Sequence, residues 1–334
     1  MGQSRSIGSA IDVKLTFKDM KKVFKWIGIL VAVLILLVVV FAFLPVIPLK
    51  THANLDPEKV KELRASEPDE NLSFTTSDGL TLFVRQWLPD STIAEKEKTA
   101  ILIFHGVTAH SGPYEMTGRP FSARGYTTFG LDYRGHGLSD GPRGDYESRE
   151  KWKKDLAESV AFVRSQGFEK VIILGHSLGV AAAIYCTQEV PDQIDGLILL
   201  SGGYRGKEGV RDEPTLLQKL HILSNSLLRP GYPVVHYFRD GMTGRNDPLF
   251  NFSYTLRFLT MVDRELLGLP QNLNVPVLVA VGDQDELFDV DAVKEVFNDV
   301  PSANKDFLVL EGAAHARFPE ESWETIADWL DGNF

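Results

Sequence analysis

The chain of 334 residues contains a single cysteine, Cys186, and therefore lacks the thiols for an internal disulfide or a multi-cysteine metal site. It also lacks an excess of basic residues, since 45 acidic residues outnumber 35 basic ones and give a net charge of −10. This balance argues against nucleic acid as a partner, because phosphate binding requires a clustered basic face. No His-Glu-x-x-His motif and no glycine-rich phosphate loop occur, so neither a metal nor another cofactor is expected.

The charge is unevenly distributed, and its basic part lies next to a long apolar run. Residues 1–25 hold six basic and two acidic side chains, and Trp26–Leu44 then contains no charged one. At 1.5 Å per helical residue this run spans roughly 28 Å, close to the hydrocarbon thickness of a bilayer. We predict a single transmembrane helix with a cytoplasmic N-terminus and the bulk of the chain on the far side. A cleaved signal peptide is the alternative, although Ala42-Phe43-Leu44-Pro45 offers no convincing cleavage site.

The polar stretch after this run separates it from a folded domain. Asp56-Pro57-Glu58 is typical of a helix start, with an N-cap aspartate and proline at the first helical position, and predicts a short helix to about Ala65. The predicted organisation has four parts: a basic N-terminal segment (1–25), a transmembrane anchor (26–49), a polar linker (50–70) and the folded domain (71–334).

Apolar runs and helical patterns alternate along the folded domain. Leu72–Thr75 and Leu80–Leu88 predict a starting hairpin around Ser77-Asp78-Gly79. The alternation that follows predicts an α/β fold with a largely parallel sheet flanked by helices. Between 202 and about 269 no clear strand occurs, which indicates an insertion of helices. The predicted strands are Ala100–Phe104, Thr127–Leu131, Val171–Leu174, Leu197–Leu200, Val277–Val281 and Phe307–Leu310, and the predicted helices are Arg149–Arg164, Leu178–Gln188, Val290–Phe297 and Glu320–Leu330.

The sequence Gly175-His176-Ser177-Leu178-Gly179 lies between a predicted strand and a predicted helix of small residues. Gly-x-Ser-x-Gly in this setting is the nucleophile elbow, whose tight turn exposes the serine hydroxyl at the carboxyl end of the sheet. The following helix directs backbone N–H groups at an anion formed there. We therefore predict that Ser177 is a catalytic nucleophile.

A serine nucleophile requires a histidine base and a carboxylate that orients it. Asp285 follows one predicted strand and His315 follows another, and open α/β sheets place their sites at such carboxyl ends. The order Ser177, Asp285, His315 matches the order in α/β hydrolases. Asp283 is a competing carboxylate that spacing alone does not exclude.

An acyl-transfer site also needs donors for the oxyanion. The strand Ala100–Phe104 ends in His105-Gly106-Val107-Thr108, where Gly106 allows a close approach of the backbone. We predict that the N–H groups of Val107 and Leu178 form the oxyanion hole.

Taken together, these motifs resemble the monoacylglycerol lipase and lysophospholipase branch of the α/β hydrolases, also labelled serine-aminopeptidase-like. The resemblance runs from about Asn71 to the C-terminus and implies the triad Ser177, Asp285, His315 and a helical cap at about 202–269. Ala109 and Pro113 stand where family members commonly have Glu and Arg, so substrate specificity is not carried over. The motifs are His105-Gly106, His110-Ser111 with Tyr114, Asp132-Tyr133-Arg134-Gly135-His136-Gly137-Leu138-Ser139, Gly175–Gly179, Gly282–Asp285 and Glu311–His315.

The function expected from these features is a membrane-anchored serine hydrolase that cleaves esters of a lipid-like substrate, monoacylglycerol or lysophospholipid, through an acyl-enzyme. A proline-iminopeptidase-type serine peptidase is the main alternative, and Glu208, Asp212 and Glu213 are candidates to bind its substrate amine. A non-catalytic binding protein on a hydrolase fold is a third. His136 and His176 are expected to be structural hydrogen-bonding residues, His221 and His236 to be surface or packing residues of the cap, and Cys186 to be an inert buried thiol.

Overall fold

An eight-stranded sheet forms the centre of the computed structural model, which describes residues 17–44, 54–68, 70–96, 98–210, 213–239 and 241–334. Its strand order is β1-β2-β4-β3-β5-β6-β9-β10, while β7 and β8 form a separate pair. The strands are β1 Leu72–Thr75, β2 Thr81–Trp87, β3 Thr99–Phe104, β4 Thr127–Leu131, β5 Lys170–His176, β6 Gly196–Leu200, β7 Val235–His236, β8 Ser253–Tyr254, β9 Val277–Gly282 and β10 Lys305–Leu310.

Helices cover both faces of this sheet. Those with regular α geometry are α1 Phe17–Phe43, α2 Pro57–Arg64, α3 Glu115–Ser122, α4 Arg149–Ser165, α5 Leu178–Glu189, α6 Leu216–Leu228, α7 Leu256–Leu259, α8 Val290–Asp299 and α9 Glu320–Asn333. Short 3₁₀ turns lie at Gly112–Tyr114, Pro191–Gln193 and Arg264–Leu266.

The predicted α/β class and the largely parallel sheet are confirmed. The starting hairpin β1–β2 is antiparallel, β2 pairs antiparallel with β4, and every other pairing in the large sheet is parallel. β3, β4, β6 and β9 are buried along their whole length, as expected of apolar strands covered on both faces. The parallel strands bring the loops after β3, β5, β9 and β10 to one edge of the sheet.

The interval between β6 and β9 forms the predicted insertion, but the expectation that it holds no strand is wrong. Its long helix is α6, and its two short strands pair antiparallel, Val235 with Tyr254 and His236 with Ser253. A strand of two residues has no periodicity that a sequence pattern could reveal.

The predicted short helix after the anchor is α2, and it packs on the folded domain. Asp56 caps it by accepting the N–H of Glu58, and Val60 is buried. Arg64 donates to the carbonyl of Leu138 at 2.6 Å and to Asp140 at 2.8 Å. The domain start at residue 71 remains a prediction, but the folded unit includes α2.

All but the last residue of the apolar N-terminal run, Leu44, lies within α1, which is long and apolar enough to cross a membrane. A signal sequence passes the same test. α1 begins at Phe17, so it also includes the lysine-bearing residues that precede the uncharged run at Trp26. Residues 1–16 of the predicted basic segment and residues 45–49 of the predicted anchor lie outside the described residues.

Candidate active site

Ser177 stands at a strained turn between β5 and α5. Its backbone angles are φ 57° and ψ −117°, a region that L-residues rarely occupy. The flanking glycines are required by contact: a Cβ on Gly175 would lie 2.2 Å from the carbonyl oxygen of Gly179. A Cβ on Gly179 would lie 2.0 Å from the carbonyl oxygen of Phe104. Glycine is therefore required both by the tight turn of the elbow and by its close approach to the end of β3.

The structure brings Ser177, His315 and Asp285 into one hydrogen-bonded row. His315 Nε2 lies 3.0 Å from Ser177 Oγ, and His315 Nδ1 lies 3.1 Å from Asp285 Oδ2. Asp283 is exposed, and its carboxylate accepts the N–H of Gly312 at 2.8 Å instead. The carboxylate that meets the histidine is thus that of Asp285, and the competing Asp283 lies outside the row.

Asp285 is held as a carboxylate although its side chain is buried. Burial opposes the charge, but the hydrogen bond with His315 and those from the N–H groups of Leu287 and Phe288 keep the pKa of Asp285 below its usual value. The two N–H groups donate to Oδ1 at 2.8 and 3.0 Å, while Oδ2 faces the imidazole. This arrangement is suited to stabilise a positive charge on the His315 imidazole.

The two predicted oxyanion donors both flank Ser177. Leu178 occupies the first position of α5, where an N–H group has no acceptor within the helix. Val107 lies in the loop after β3 and lines the cavity beside Ser177. Gly106, which precedes it, approaches so closely that a Cβ there would lie 3.3 Å from Ser177 Cβ. Both residues thus lie in backbone segments beside Ser177, and their role as oxyanion donors remains a prediction.

A chain of hydrogen bonds joins the loop after β3 to the histidine, and it includes Tyr114, which the sequence analysis names in a motif without assigning it a role. The N–H of Gly106 donates to the Tyr114 hydroxyl at 2.8 Å, so the hydroxyl donates onward to His176 Nδ1 at 2.7 Å. His176 Nε2 then donates to the carbonyl of His315 at 2.7 Å. Burial lowers the pKa of His176 to about 3, so the ring is neutral. His176 is thus a hydrogen-bonding structural residue, as expected.

Glu286 is a second positioning residue that the sequence did not indicate. Its carboxylate accepts the backbone N–H of His315 at 3.0 Å and a guanidinium N–H of Arg239 at 2.9 Å. Burial opposes its charge, but these hydrogen bonds hold the pKa of Glu286 below its usual value. Because Arg239 belongs to the insertion, Glu286 connects that insertion to the loop that carries His315.

Two arms of the cavity meet at Ser177, and they differ in character. The first, the polar arm, carries the charged side chains of Arg239 and Glu286 beside aromatic ones. The second, the aliphatic arm, carries many aliphatic side chains together with Lys207 and Tyr204, and both arms expose more apolar than polar surface. Ser177 and Val107 line both arms, so a bound ester can extend in both directions from the hydroxyl. The first arm includes Tyr114, Arg239, Glu286, Phe318 and Trp323, and the second includes Leu178, Ile184, Leu259, Val262, Phe288 and Val296.

Two other residues expected to be structural are buried away from this row. His136 donates from Nδ1 to the carbonyl of Arg134 at 3.1 Å, and burial lowers its pKa well below the usual value. Burial likewise raises the pKa of the Cys186 thiol, which keeps it protonated and unreactive. Within the part of the chain that the structure describes, no cluster of three or more His, Cys, Asp or Glu side chains is suited to a metal ion.

Residues 95–322 match the protein family Hydrolase_4, described as serine aminopeptidase, S33. The chain belongs to this family. It is 25% identical over 272 residues to the monoacylglycerol lipase of Mycolicibacterium smegmatis, a match that covers 77% of this chain and 93% of that protein. It is 28% identical over 261 residues to the monoglyceride lipase of Rattus norvegicus, a match that covers 73% of this chain and 82% of that protein.

The fold is also that of a solved lipase. The structure of Paleococcus ferrophilus monoacylglycerol lipase matches with a TM-score of 0.60 and 22% sequence identity, covering 76% of this chain and 99% of that chain. These comparisons confirm the α/β-hydrolase fold and the expected enzyme class, a carboxylic ester hydrolase.

Proposed function

We propose that the chain is a membrane-anchored serine hydrolase that cleaves carboxylic esters of lipid-like substrates, monoacylglycerol or lysophospholipid, through an acyl-enzyme on Ser177. The observation that carries this proposal is the row Ser177–His315–Asp285 at the junction of a polar and an aliphatic cavity arm. The names of the curated relatives support the lipid ester, since two of them are monoacylglycerol or monoglyceride lipases.

The geometry supports a two-step acyl transfer. His315 Nε2 takes the proton of Ser177 Oγ as the oxygen attacks the ester carbonyl, and the N–H groups of Val107 and Leu178 stabilise the resulting oxyanion, each by about 3–4 kcal/mol. His315 then gives this proton to the leaving alcohol, which leaves an ester of Ser177. A water molecule, deprotonated by His315, attacks that ester, and the proton returns to Ser177 as the fatty acid departs.

The two cavity arms divide the substrate between them. The aliphatic arm suits an acyl chain, because burying each methylene group from water stabilises the complex by about 0.8 kcal/mol. The polar arm, with the ion pair Arg239–Glu286, suits a hydroxylated or phosphorylated head group. A panel of monoacylglycerols, lysophospholipids and short p-nitrophenyl esters separates these head groups.

Replacement of the nucleophile is the direct test. Ser177→Ala is expected to abolish ester hydrolysis, with a loss on the order of 10⁶ in turnover, and to abolish labelling by a fluorophosphonate. Ser165→Ala, at the exposed end of α4, is the control and should retain both. Labelling that persists in the Ser177 variant would overturn the assignment.

The peptidase alternative has less support. It needs an acidic residue near the substrate amine, but within the described lining of both arms neither Glu208 nor Glu213 occurs. Asp212 lies outside the described residues. Glu286 does line the polar arm, but its charge is matched by Arg239. Hydrolysis of aminoacyl or prolyl amides faster than of any ester would favour the peptidase.

The proposed topology has α1 across the membrane, the N-terminus in the cytoplasm and the catalytic domain on the opposite, extracytoplasmic side. Support comes from the apolar length of α1 and from the lysines that precede its uncharged part, each of which costs roughly 2.5–3.5 kcal/mol at the bilayer centre. The full-length protein should resist alkaline carbonate extraction, and a protease added outside should digest the domain. An N-terminus starting after Leu44 in the mature protein would show a cleaved signal peptide instead.

A further inference from the structure

The loop after β3 carries the predicted oxyanion donor Val107, and the peptide unit before it is held in place. The carbonyl of Gly106 accepts the Nδ1–H of His105 at 2.8 Å and the N–H of Ala109 at 3.3 Å. Because the N–H of Val107 shares a planar trans peptide unit with that carbonyl, it points in the opposite direction. Within the residues that the structure describes, this N–H has no acceptor, so it remains available to an anion.

The next two carbonyl groups of this loop are held by the insertion between β6 and β9. The hydroxyl of Tyr254, in β8, donates to the carbonyl of Val107, a residue 147 positions earlier in the chain. The N–H of Asn251 donates to the carbonyl of Thr108 at 3.1 Å. The conformation of the loop beside Ser177 therefore depends on contacts with the insertion as well as on the sheet.

The side chain of Tyr254 has little freedom to direct its hydroxyl elsewhere. Its ring is fully buried and stacks on the rings of His136 and Phe258, with centres 5.9 and 5.2 Å apart. The hydroxyl lies 3.1 Å from the carbonyl of Asn251 and 3.5 Å from His136 Nε2, but the carbonyl of Val107 is its nearest acceptor. Burial raises the pKa of Tyr254 well above its usual value, so the hydroxyl keeps its hydrogen.

An oxyanion donor accelerates a reaction only if it already points at the position where the charge develops. The direction of the Val107 N–H depends on the two peptide units that meet at this residue. One is fixed through the carbonyl of Gly106, and the other is fixed through the hydroxyl of Tyr254. Without that hydroxyl the second unit loses its nearest side-chain contact, and the backbone of Val107 gains freedom to turn.

We propose that Tyr254 is a positioning residue for the oxyanion hole: its hydroxyl fixes the peptide unit after Val107 and so keeps the Val107 N–H aimed at the carbonyl oxygen of an ester bound at Ser177. The insertion then contributes to the chemical step as well as to the walls of the cavity. The inference rests on the proposed function, in which Ser177 attacks an ester and an oxyanion forms.

Removal of this single hydroxyl tests the proposal. Tyr254→Phe should lower kcat on p-nitrophenyl butyrate by about tenfold, part of the roughly 10²–10³ that loss of an oxyanion donor costs, and should leave KM unchanged. Tyr185→Phe is the matched control, because Tyr185 is equally buried and its hydroxyl donates to the carbonyl of Met261 at 3.0 Å. Within the described lining of both cavity arms Tyr185 does not occur, so its variant should keep kcat.

A thionoester reports on the oxyanion hole itself. The wild type should hydrolyse p-nitrophenyl butyrate much faster than its thiono analogue, because N–H groups positioned for an oxygen bind the larger and weaker acceptor sulfur poorly. Tyr254→Phe should reduce this ratio of kcat/KM values by about tenfold, and Tyr185→Phe should leave it unchanged. The ratio does not depend on the amount of folded enzyme, so it tests the proposal even if Tyr254→Phe folds poorly.

The outcomes separate this inference from the proposed function. An unchanged ratio in Tyr254→Phe, with a decrease in Tm like that of Tyr185→Phe, would show a purely structural role and overturn the inference alone. A higher KM with unchanged kcat would place Tyr254 in substrate binding and also overturn it. A wild type that hydrolyses neither ester and does not react with a fluorophosphonate would overturn the hydrolase and this inference together.

Discussion

The nucleophile elbow gives a prediction in which loss of activity accompanies a gain in stability. Ser177 has φ 57° and ψ −117°, and a non-glycine residue in such a region costs about 1–3 kcal/mol. Ser177→Ala removes the hydroxyl but keeps the Cβ and its backbone strain, whereas Ser177→Gly removes both. We therefore expect two inactive variants of different stability, with the glycine variant the more stable.

The magnitude follows from two opposing contributions. Relief of the strain favours Ser177→Gly by about 1–3 kcal/mol, and the greater freedom of glycine in the unfolded chain opposes it by roughly 0.5–1 kcal/mol. The net gain over Ser177→Ala is then about 1 kcal/mol. With an unfolding entropy of about 2.1 cal/mol/K per residue, this corresponds for 334 residues to an increase in Tm of roughly 1–2 °C.

The assay compares thermal unfolding of the full-length variants in the same detergent, followed by intrinsic fluorescence. Alanine and glycine variants of Ser165, in the last turn of α4, supply the matched pair, because a helical backbone favours alanine over glycine. There the glycine variant should be less stable than the alanine variant by about 0.5–1 kcal/mol. A Ser177→Gly protein that unfolds at or below the Tm of Ser177→Ala would refute the argument from strain.

Three further predictions concern the residues around the nucleophile. Asp285→Asn should lower kcat on a p-nitrophenyl ester by about 10⁴, and Asp283→Asn by less than tenfold; the reverse order would exchange their roles. Tyr114→Phe leaves the N–H of Gly106 without its acceptor and should reduce the free energy of unfolding, measured by urea titration, by about 1–3 kcal/mol. An unchanged urea midpoint would contradict the hydrogen-bond chain. His176 binds its proton more weakly in the folded protein (pKa about 3) than in the unfolded chain (pKa about 6.5), so the free energy of unfolding should fall as the pH decreases between these values. In urea titrations across this range, His176→Gln should make the decrease shallower. Equal slopes for the wild type and the variant would count against a buried neutral ring.

The sheet was predictable from the sequence because its strands are continuous apolar runs between polar turns. The predicted Thr127–Leu131 coincides with β4, and Leu197–Leu200 differs from β6 by one residue. α3 was missed since Gly118 and Pro120 both disfavour a helix. The structure explains Gly118: a Cβ there would lie 2.4 Å from the Trp87 ring, so close packing on β2 outweighs helix propensity.

The candidate site divides in a similar way. The geometry around Ser177 is encoded within five consecutive residues, since Gly175 and Gly179 meet each other and the end of β3. Tyr114 and Glu286 act through contacts between segments distant along the chain, as in the bond from Tyr114 to His176. The motif that contains Tyr114 does not reveal what its hydroxyl contacts, and no local pattern distinguishes Glu286 from an ordinary surface residue.

The orientation of α6 lies beyond sequence reasoning for a different physical reason. The spacing of its leucines defines an apolar stripe, but a stripe does not state whether protein or lipid covers it. The decision depends on the opposite face, where His221 and Arg229 reach the carbonyl groups at the end of α1. Because these carbonyl groups accept the bonds, the polar face of α6 is fixed toward α1 and its leucines point away from it.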